Sequence, residues 1–435
     1  MKWSKYNSTI KAGDEKYILY NCRTDKILIL TKELHTIISQ NNLDRIKLLH
    51  PDFHTCLITN SFIIDNYKDE DEVEITIQDR EKQLDSDVYF RLTINPTLDC
   101  NLRCWYCYET HQKNSHVDDK TMDSIKKLLE NKIKTLQLKT LAISFFGGEP
   151  LLKFNKTVKP LINFAQELCN GSETKLNIGF TTNAVLLTSN IVDYLSSLDV
   201  IGYIQVPFDG NKSLHDAIKK MSNGKGTYDI TLKNIKYAIK KGLHVNIRCN
   251  YNIDNLNCFI DLIDEFKDLD KKYYDSFHFS FQPVWQTHDG GLKTSPILKK
   301  IRFALDTFGM KHDGNSENGG LGTSCYADRG DSIVVNYNGD VYKCTSQDFI
   351  QAKREGILNE DGTITYNKYY QGRMNSRFSN PICKDCSILP ICSVCSQKKI
   401  NQSLYICPGN IGEDDKLDII QSRIQIISNN RITLT

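Results

Sequence analysis

Between Tyr89 and about Phe308, short apolar runs rich in β-forming residues alternate with stretches in which apolar residues recur at helical spacing. The runs are Phe90–Ile94, Leu141–Phe146, Leu176–Thr181, Ile201–Phe208, Val245–Arg248 and Phe277–Phe281. The stretches between them include Lys120–Lys134, Val158–Cys169, Thr188–Leu195 and Tyr228–Lys240. Six such βα units in succession predict a parallel sheet, either open or curled toward a barrel. In both arrangements we expect the functional residues just beyond the carboxyl ends of the strands.

The compartment can be predicted from composition and from the start of the chain. No apolar run approaches the roughly 20 residues that cross a bilayer, and the first residues lack the apolar segment of a signal peptide. We therefore expect a cytoplasmic protein without a membrane partner. Its 55 Lys and Arg residues nearly balance 53 Asp and Glu residues, which argues against a nucleic-acid partner. In a reduced compartment, the 15 cysteines indicate metal ligands or reactive thiols rather than disulfides.

Three cysteines follow the first predicted strand in the pattern Cys100-x3-Cys104-x2-Cys107. Three thiolates on one loop can ligate three of the four irons of a [4Fe–4S] cluster. No fourth cysteine lies nearby, so one iron would be open to a substrate or cofactor. A structural zinc site, which normally has four ligands, remains an alternative if a distant cysteine completes it. Spacing and position favour the iron–sulfur cluster.

With Tyr108-Glu109 after it, this loop resembles the cluster loop of the radical S-adenosylmethionine (SAM) enzymes. Further motifs match in order at strand ends: Phe146-Gly147-Gly148-Glu149-Pro150, Thr181-Thr182-Asn183, Phe208-Asp209-Gly210, then His215-Asp216, and Ile247-Arg248 in the fifth strand. The resemblance implies a partial (βα)6 barrel. It also implies reductive cleavage of SAM to a 5′-deoxyadenosyl radical, which abstracts a hydrogen from the substrate.

The resemblance assigns roles to individual residues. Cys100, Cys104 and Cys107 would hold a [4Fe–4S] cluster with an open iron. The candidates for binding SAM are Gly147, Gly148, Glu149, Asn183, Asp209 and Arg248. Considered singly, Gly-Gly-Glu-Pro and Asp-Gly are ordinary turn sequences, so the prediction depends on their joint order. The chemistry also requires an electron donor, such as a reductase, a flavodoxin or a ferredoxin.

A second group of seven cysteines lies between Cys325 and Cys407. Cys344 ends a Gly-x4-Cys unit, and Cys383-x2-Cys386-x5-Cys392-x2-Cys395 precedes Cys407-Pro408. The layout resembles the SPASM extension, which carries auxiliary [4Fe–4S] clusters, although the family spaces its last close pair by three residues rather than two. By this analogy Cys325, Cys344 and Cys395 hold one cluster, and Cys383, Cys386, Cys392 and Cys407 hold the other.

Two further inferences concern this C-terminal segment. Paired zinc knuckles are the alternative to clusters, but their separation of five residues is shorter than the usual 15–20. Because the helical pattern stops at Cys325 and short polar segments follow, we expect metal ligation to supply much of the folding energy there.

The N-terminal residues predict a small separate module. Tyr17–Asn21 and Lys26–Leu30 are two β-rich runs, and Thr31 is placed to cap the helical pattern from Lys32 to Gln40. The module resembles the PqqD-like element of peptide maturases, which would bind the leader of a precursor peptide by adding a strand to its sheet. A winged-helix-like cap that only covers the barrel is the alternative. The charged run from Lys68 to Asp87 is interpreted as a linker.

We therefore predict three domains: a PqqD-like module at 1–85, a radical SAM core at 86–310 and a SPASM domain at 311–435. The implied function is that of a radical SAM/SPASM peptide maturase, which cross-links or otherwise oxidises a ribosomally synthesised precursor peptide. An anaerobic sulfatase-maturing enzyme shares both cysteine groups, but the N-terminal match argues against it. A zinc-stapled binding protein without catalytic activity is the alternative from another class.

Overall fold

The computed structural model describes residues 1–65, 69–135, 137–287, 295–313, 324–400 and 406–432. The chain divides into two compact units. The first unit combines Met1–Asp85, Gly320–Gly330 and Gln371–Thr435, and the second combines Ser86–Gly319 with Asp331–Tyr370. The N-terminal segment and the last cysteine-rich segment therefore belong to one unit, although they lie at opposite ends of the sequence.

The described residues form sixteen strands and fifteen α-helices, with short single-turn helices between them. The strands are β1 (Lys2–Trp3), β2 (Asn7–Lys11), β3 (Lys16–Asn21), β4 (Lys26–Thr31), β5 (Ile63–Ile64), β6 (Tyr89–Asn95), β7 (Thr140–Phe145), β8 (Lys175–Thr181), β9 (Ile201–Phe208), β10 (Val245–Tyr251), β11 (Phe277–Pro283), β12 (Lys311–His312), β13 (Ser332–Asn336), β14 (Asp340–Tyr342), β15 (Gly356–Leu358) and β16 (Ile364–Tyr366). The helices are α1 (Lys32–Ser39), α2 (Leu43–Leu49), α3 (Pro51–Thr59), α4 (Asp69–Leu84), α5 (Asp119–Thr135), α6 (Lys159–Asn170), α7 (Ser189–Ser196), α8 (Lys212–Ile218), α9 (Tyr228–Lys240), α10 (Phe259–Asp264), α11 (Ser295–Phe308), α12 (Lys368–Ser376), α13 (Pro381–Lys384), α14 (Ser396–Lys399) and α15 (Glu413–Ile432).

The second unit is built on one sheet of eleven strands in the order β12-β11-β10-β9-β8-β7-β6-β13-β14-β15-β16. The six strands from β6 to β11 are neighbours in chain order and run parallel to one another. They correspond to the six predicted runs, and α5, α6, α7 and α9 correspond to the predicted helices. The structure therefore confirms the predicted α/β class and the alternation behind it.

The two faces of this sheet differ in chemistry, as β10 shows. Val245, Ile247 and Cys249 are buried in the apolar core that the sheet shares with its helices. The alternate residues of β10 are polar and only half-buried. A parallel sheet covered by helices is normally apolar on both faces. A polar second face is what the interior of an open barrel needs if it is to receive a polar ligand.

The sheet continues past the six predicted strands. All five residues of β13 are buried, and β13 pairs in parallel with β6 from Ser332–Arg91 to Asn336–Asn95. The expectation of only short polar segments after Cys325 is therefore wrong for this stretch. The run Ile333-Val334-Val335 is apolar because it lies inside the sheet rather than in a metal-stapled loop.

The first unit contains the three-stranded antiparallel sheet β2-β3-β4, which precedes α1, α2 and α3 in the chain. Helix α1 begins after Thr31, whose side chain accepts a hydrogen bond from the backbone N–H of Leu34 at 3.3 Å. This confirms the predicted cap. Among the described residues β4 has one strand neighbour, so it is an edge strand of this sheet.

The run that was interpreted as a linker is the helix α4, so that interpretation is wrong. Val73 and Leu84 of this helix are buried, and Ile77 packs against the same core. The spacing of these residues, at positions i, i+4 and i+11, places them on one helical face. Charged residues occupy much of the rest of the run, which is why composition alone suggested a solvated linker.

The cysteine-rich C-terminal segment does not depend on metal alone for its core. Leu389, Ile420 and Ile424 are buried in one apolar cluster together with Tyr6 and Tyr20 from the N-terminal segment. Each segment therefore supplies apolar surface that the other covers. Across the described residues, none of the helices combines the length and the hydropathy needed to cross a bilayer.

Candidate active site

The three-cysteine loop lies at the carboxyl end of β6 and is fixed at its beginning by hydrogen bonds. The hydroxyl of Thr97 donates to the backbone oxygen of Ser115 at 2.7 Å, and the backbone N–H of Leu98 donates to the Ser115 hydroxyl oxygen at 2.9 Å. The backbone N–H of Asp99 donates to the Thr97 hydroxyl oxygen at 2.9 Å. The chain therefore enters the loop in one defined conformation before Cys100.

The thiols of this loop have the donor chemistry of an iron–sulfur site. Cys100, Cys104 and Cys107 are unpaired with other cysteines. The sulfur of Cys100 lies 3.4 Å from the backbone nitrogen of Leu102 and 3.9 Å from Nδ2 of Asn183, and both groups can donate to a thiolate. Burial raises the pKa of Cys100 and Cys104, and it raises that of Cys107 to about 11. A bound cation would reverse this effect, because a thiol that coordinates a metal is deprotonated. The residues present therefore fit the predicted cluster.

The Gly-Gly-Glu segment after β7 packs directly on this loop. A Cβ atom at Gly148 would overlap the backbone of Asp99, and one at Gly147 would crowd the backbone oxygen of Thr97. Gly147 also has a φ of +91°. The backbone N–H of Glu149 donates to the Asp99 oxygen at 2.8 Å. The two glycines are therefore required for contact between the ends of two strands, a role that the sequence did not reveal.

Glu149 joins the end of β7 to the end of β8. Its side chain is fully buried, and one carboxylate oxygen accepts hydrogen bonds from the Thr182 hydroxyl at 2.7 Å and from Leu151 N–H at 3.0 Å. The other oxygen accepts from the backbone N–H of Asn183 at 2.8 Å. Burial raises the pKa of Glu149 to about 7, although these three hydrogen bonds oppose the shift. A direct contact between Glu149 and SAM stays a prediction.

Asn183 lies just beyond the end of β8, and Arg248 lies within β10. The amide nitrogen of Asn183 donates to Oδ1 of Asn101 in the cysteine loop at 2.8 Å. Arg248 lies on the polar face of β10, where its Nε donates to Oδ1 of Asn250 at 3.0 Å. Asn183 therefore follows a strand end and Arg248 lies within the fifth barrel strand, as the sequence predicted, and their contact with SAM stays a prediction.

Asp209 lies at the end of β9, buried beside a lysine that the sequence analysis missed. One oxygen of Asp209 accepts a hydrogen bond from the Tyr106 hydroxyl at 2.6 Å, and the other forms an ion pair with Lys219. Both side chains of this ion pair are at most 3% exposed. In sequence, Lys219 has no feature that distinguishes it from the adjacent Lys220, because its partner is ten residues away on another element.

The other residues of this motif have packing roles. The ring of His215 is fully buried between Phe208 and Tyr228, at centroid distances of 5.0 and 5.6 Å. Oδ1 of Asp216 accepts hydrogen bonds from the backbone N–H groups of Thr227 and Tyr228 at 2.7 and 2.8 Å, and so fixes the beginning of α9. These residues therefore shape the segment between β9 and α9.

In the first unit, the structure brings together two of the cysteines predicted for the first auxiliary cluster. The Cys325 thiol donates a hydrogen bond to the sulfur of Cys395, which lowers the pKa of Cys395 to about 6. Asp328 helps to hold the segments of Cys325 and Cys395 together, because its carboxylate accepts a hydrogen bond from the backbone N–H of Ser396 at 3.0 Å. The shortened spacing before Cys395 therefore does not keep it away from Cys325.

The four cysteines predicted for the second auxiliary cluster are also neighbours within the first unit. The charge of each of Cys386, Cys392 and Cys407 would raise the pKa of Cys383, although burial contributes most to the increase. Cys344 belongs to the second unit, where it is buried just after β14 and its sulfur accepts a hydrogen bond from the backbone N–H of Ser346 at 3.2 Å. Within the described ranges, no three His, Cys, Asp or Glu side chains are grouped closely enough to bind one metal ion.

A buried arginine of α4 reaches into this cysteine-rich segment. Arg80 donates hydrogen bonds to the backbone oxygens of Leu389 at 2.6 Å and of Cys392 at 2.8 Å. Its guanidinium lies 5.1 Å from the ring centroid of Phe378, in a cation–π contact. The positive charge of Arg80 therefore lies among the carbonyl groups and sulfurs of the predicted second auxiliary cluster.

Part of the chain matches a known protein family, and individual relatives match over a larger share of it. Residues 94–281 match the sequence profile of the Radical SAM superfamily. The chain is 24% identical to the radical SAM cyclopropyl synthase TigE of Paramaledivibacter caminithermalis, over 93% of this chain and 92% of that protein. It is 21% identical to the serine-type anaerobic sulfatase-maturating enzyme of Bacteroides thetaiotaomicron, over 71% of this chain and 84% of that protein.

The fold resembles a solved structure along nearly the whole chain. The crystal structure of Streptococcus suis SuiB bound to the precursor peptide SuiA superimposes with a TM-score of 0.52 at 16% identity, covering 93% of this chain and 97% of that chain. At this identity the match supports the fold. It covers much more of the chain than the sequence profile does.

Proposed function

We propose that this chain, whose residues 94–281 match the Radical SAM superfamily, is a radical SAM enzyme that cross-links or otherwise oxidises a ribosomally synthesised precursor peptide. The observation that carries the proposal is the N-terminal sheet β2-β3-β4, whose edge strand β4 offers unpaired backbone to an extended peptide. The match to SuiB, a protein solved with its precursor peptide, extends over 93% of the chain. Among the sequence matches, that to TigE covers 93% of the chain and that to the sulfatase-maturating enzyme covers 71%.

Different residues of the barrel would bind the cluster and SAM. Cys100, Cys104 and Cys107 would hold a [4Fe–4S] cluster and leave one iron open. When bound, the cluster would supply the electron that cleaves SAM to methionine and a 5′-deoxyadenosyl radical, which is the chemistry needed to abstract a hydrogen from the substrate. Asn183 and Arg248 are the side chains that we propose to position SAM.

Glu149 and Asp209 contribute differently to this proposal. Both oxygens of each carboxylate already accept hydrogen bonds from protein groups. We therefore propose that Glu149 and Asp209 place Asn183 and the cysteine loop, and a direct contact of either carboxylate with SAM stays a prediction. The backbone of Gly147 and Gly148 is the part of that segment that can approach SAM closely.

Two auxiliary [4Fe–4S] clusters complete the proposed enzyme. Cys383, Cys386, Cys392 and Cys407 would hold the closed one. Cys325 and Cys395 would hold the other, with an open iron, and the assignment of Cys344 to it stays a prediction. The hydrogen bond between Cys325 and Cys395 and the mutual proximity of the other four support this division. The clusters would accept the electron that remains after hydrogen abstraction or would bind a substrate thiol. The alternative is zinc.

Co-expression under anaerobic conditions tests the function. We expect a short peptide encoded beside this gene to lose two hydrogens per link, as measured by mass spectrometry of the purified peptide. The Cys104→Ala enzyme is the matched control and should leave the peptide mass unchanged. If the peptide stays unmodified and a co-expressed sulfatase instead gains formylglycine, the peptide-maturase proposal is wrong and the sulfatase-maturing alternative is correct.

The edge strand β4 provides a sharper test of peptide recognition. Ile29 lies on β4 with 71% of its surface exposed, so it is available to an added strand. We expect Ile29→Asp to weaken binding of the peptide encoded beside this gene at least tenfold. Burying a large apolar side chain contributes about 1.5–3 kcal/mol, and the substitution replaces that contact with a charge. Fluorescence anisotropy of the labelled peptide measures this effect.

A matched substitution separates recognition from stability. Leu48 on α2 is 81% exposed in the same module, away from β4 in the sequence. The Leu48→Asp variant should bind the peptide as the original protein does. SAM cleavage without peptide should be unchanged in both variants. Equal binding by both variants would contradict the assignment of β4 as the peptide-binding edge.

A further inference from the structure

The cysteine loop is attached to the barrel through Tyr106, which lies between Cys104 and Cys107. The Tyr106 hydroxyl donates a hydrogen bond to Asp209 at 2.6 Å and accepts one from the Lys219 ammonium at 2.6 Å. Nδ2 of Asn250, on β10, lies 3.2 Å from the same hydroxyl oxygen. One phenol oxygen therefore connects the loop to the ends of two barrel strands and to the segment that follows α8.

The backbone around Lys219 is fixed against the same loop. The backbone N–H of Lys219 donates to the His215 oxygen at 2.7 Å, and its carbonyl oxygen accepts from the Thr227 hydroxyl at 2.7 Å. Two residues later, Met221 forms an isolated antiparallel bridge with Leu102, which lies between Cys100 and Cys104. The ammonium is therefore held in place from its backbone as well as from its partners.

Burying the Lys219 ammonium costs free energy, which indicates that its charge has a function. Removing an ion pair from water costs several kcal/mol per ion before attraction is counted, and apolar replacements of such pairs are often neutral or stabilising. The Lys219 ammonium lies 2.6 Å from the hydroxyl oxygen of Tyr106, which is two residues after Cys104 in the loop.

We propose that Lys219 is a positioning residue for the cluster, which holds the cysteine loop in its binding conformation through Tyr106 and places a positive charge against that loop. A cluster with three thiolate ligands is anionic, and reduction adds a further negative charge. A buried cation therefore favours the reduced state, because electrostatic interactions are strong at low dielectric. The proposal is independent of which substrate the enzyme modifies.

The substitution Lys219→Met tests both the anchoring of the loop and the electrostatic effect on the cluster. Methionine keeps much of the side-chain volume and removes the charge. In metal-free protein, we expect the amides of residues 100–107 to exchange hydrogen at least tenfold faster. In the anaerobically reconstituted enzyme, we expect the midpoint potential of the SAM-responsive EPR signal to shift downward. Lys212→Met is the matched control, because Lys212 lies on the preceding helix and its side chain is 58% exposed. It should change neither quantity.

Tyr106→Phe separates anchoring from charge and serves if the methionine variant does not fold. It removes the hydroxyl and leaves the pair of Lys219 and Asp209 in place. We expect faster exchange in the loop with a midpoint potential close to that of the original protein. Unchanged loop exchange in Tyr106→Phe contradicts the anchoring part. An unchanged midpoint potential in a folded, iron-loaded Lys219→Met variant contradicts the electrostatic part.

Discussion

Replacing Cys104 with alanine is expected to abolish the formation of 5′-deoxyadenosine from SAM. The loop then retains two thiols, which cannot hold the [4Fe–4S] cluster that reduces SAM. Iron content should fall by about four atoms from about twelve, because the ligands proposed for the auxiliary clusters are separate residues. Chromatography of the anaerobic reaction and iron analysis of the same preparation measure the two effects.

A second cysteine substitution is the control for this experiment. Cys22 is 2% exposed, and burial raises its pKa to about 12, so it is an unreactive thiol in an apolar core. Cys22→Ala should leave both iron content and SAM cleavage unchanged. Deoxyadenosine production that survives in the Cys104→Ala enzyme would show that the loop has been assigned to the wrong cluster.

Replacing Arg80 with methionine is expected to remove about four irons from the first unit while SAM cleavage without peptide is retained. The substitution removes the hydrogen bonds that Arg80 donates to the backbone oxygens of Leu389 and Cys392, and a buried carbonyl left unsatisfied costs about 1–3 kcal/mol. The loop that carries Cys392 would then no longer be preorganised for the closed auxiliary cluster. Iron and sulfide analysis, together with thermal unfolding, measure the change.

The exposed Lys82 of the same helix is the matched control for Arg80. Lys82→Met also removes one positive charge from α4 but no buried contact, so it should keep the full iron content. If Arg80→Met retained all its iron and its thermal stability, Arg80 would be no part of the proposed cluster site. Zinc in place of iron in the first unit would contradict the auxiliary clusters themselves.

The barrel could be predicted from sequence because its strands and helices have strong and separate hydrophobic patterns. The runs that became β6 to β11 are short, apolar and separated by helical periodicity, so local residues determine their type. Helix α4 was missed because its charged residues outnumber the few apolar ones that pack. Strand β13 was missed because the cysteines around Ile333-Val334-Val335 suggested metal-bound loops.

Some residues of the site could be predicted from local sequence motifs, whereas others depend on contacts between residues far apart in the chain. The three cysteines and the Gly-Gly-Glu segment are recognisable because each is a contiguous pattern at a strand end. Lys219 was not, because its function depends on Asp209 and Tyr106, which are ten and 113 residues away in the chain. Nor could the sequence show that the glycines serve contact with the cysteine loop, since that contact joins two separate elements.

EPR spectroscopy of the reduced, anaerobically reconstituted protein, with and without SAM, tests most directly whether the loop holds a cluster with an open iron. We predict that SAM changes the spectrum of one cluster and that Cys104→Ala removes this SAM-sensitive signal. A spectrum that SAM does not alter, or evidence that a protein side chain occupies the fourth iron of that cluster, would contradict the account.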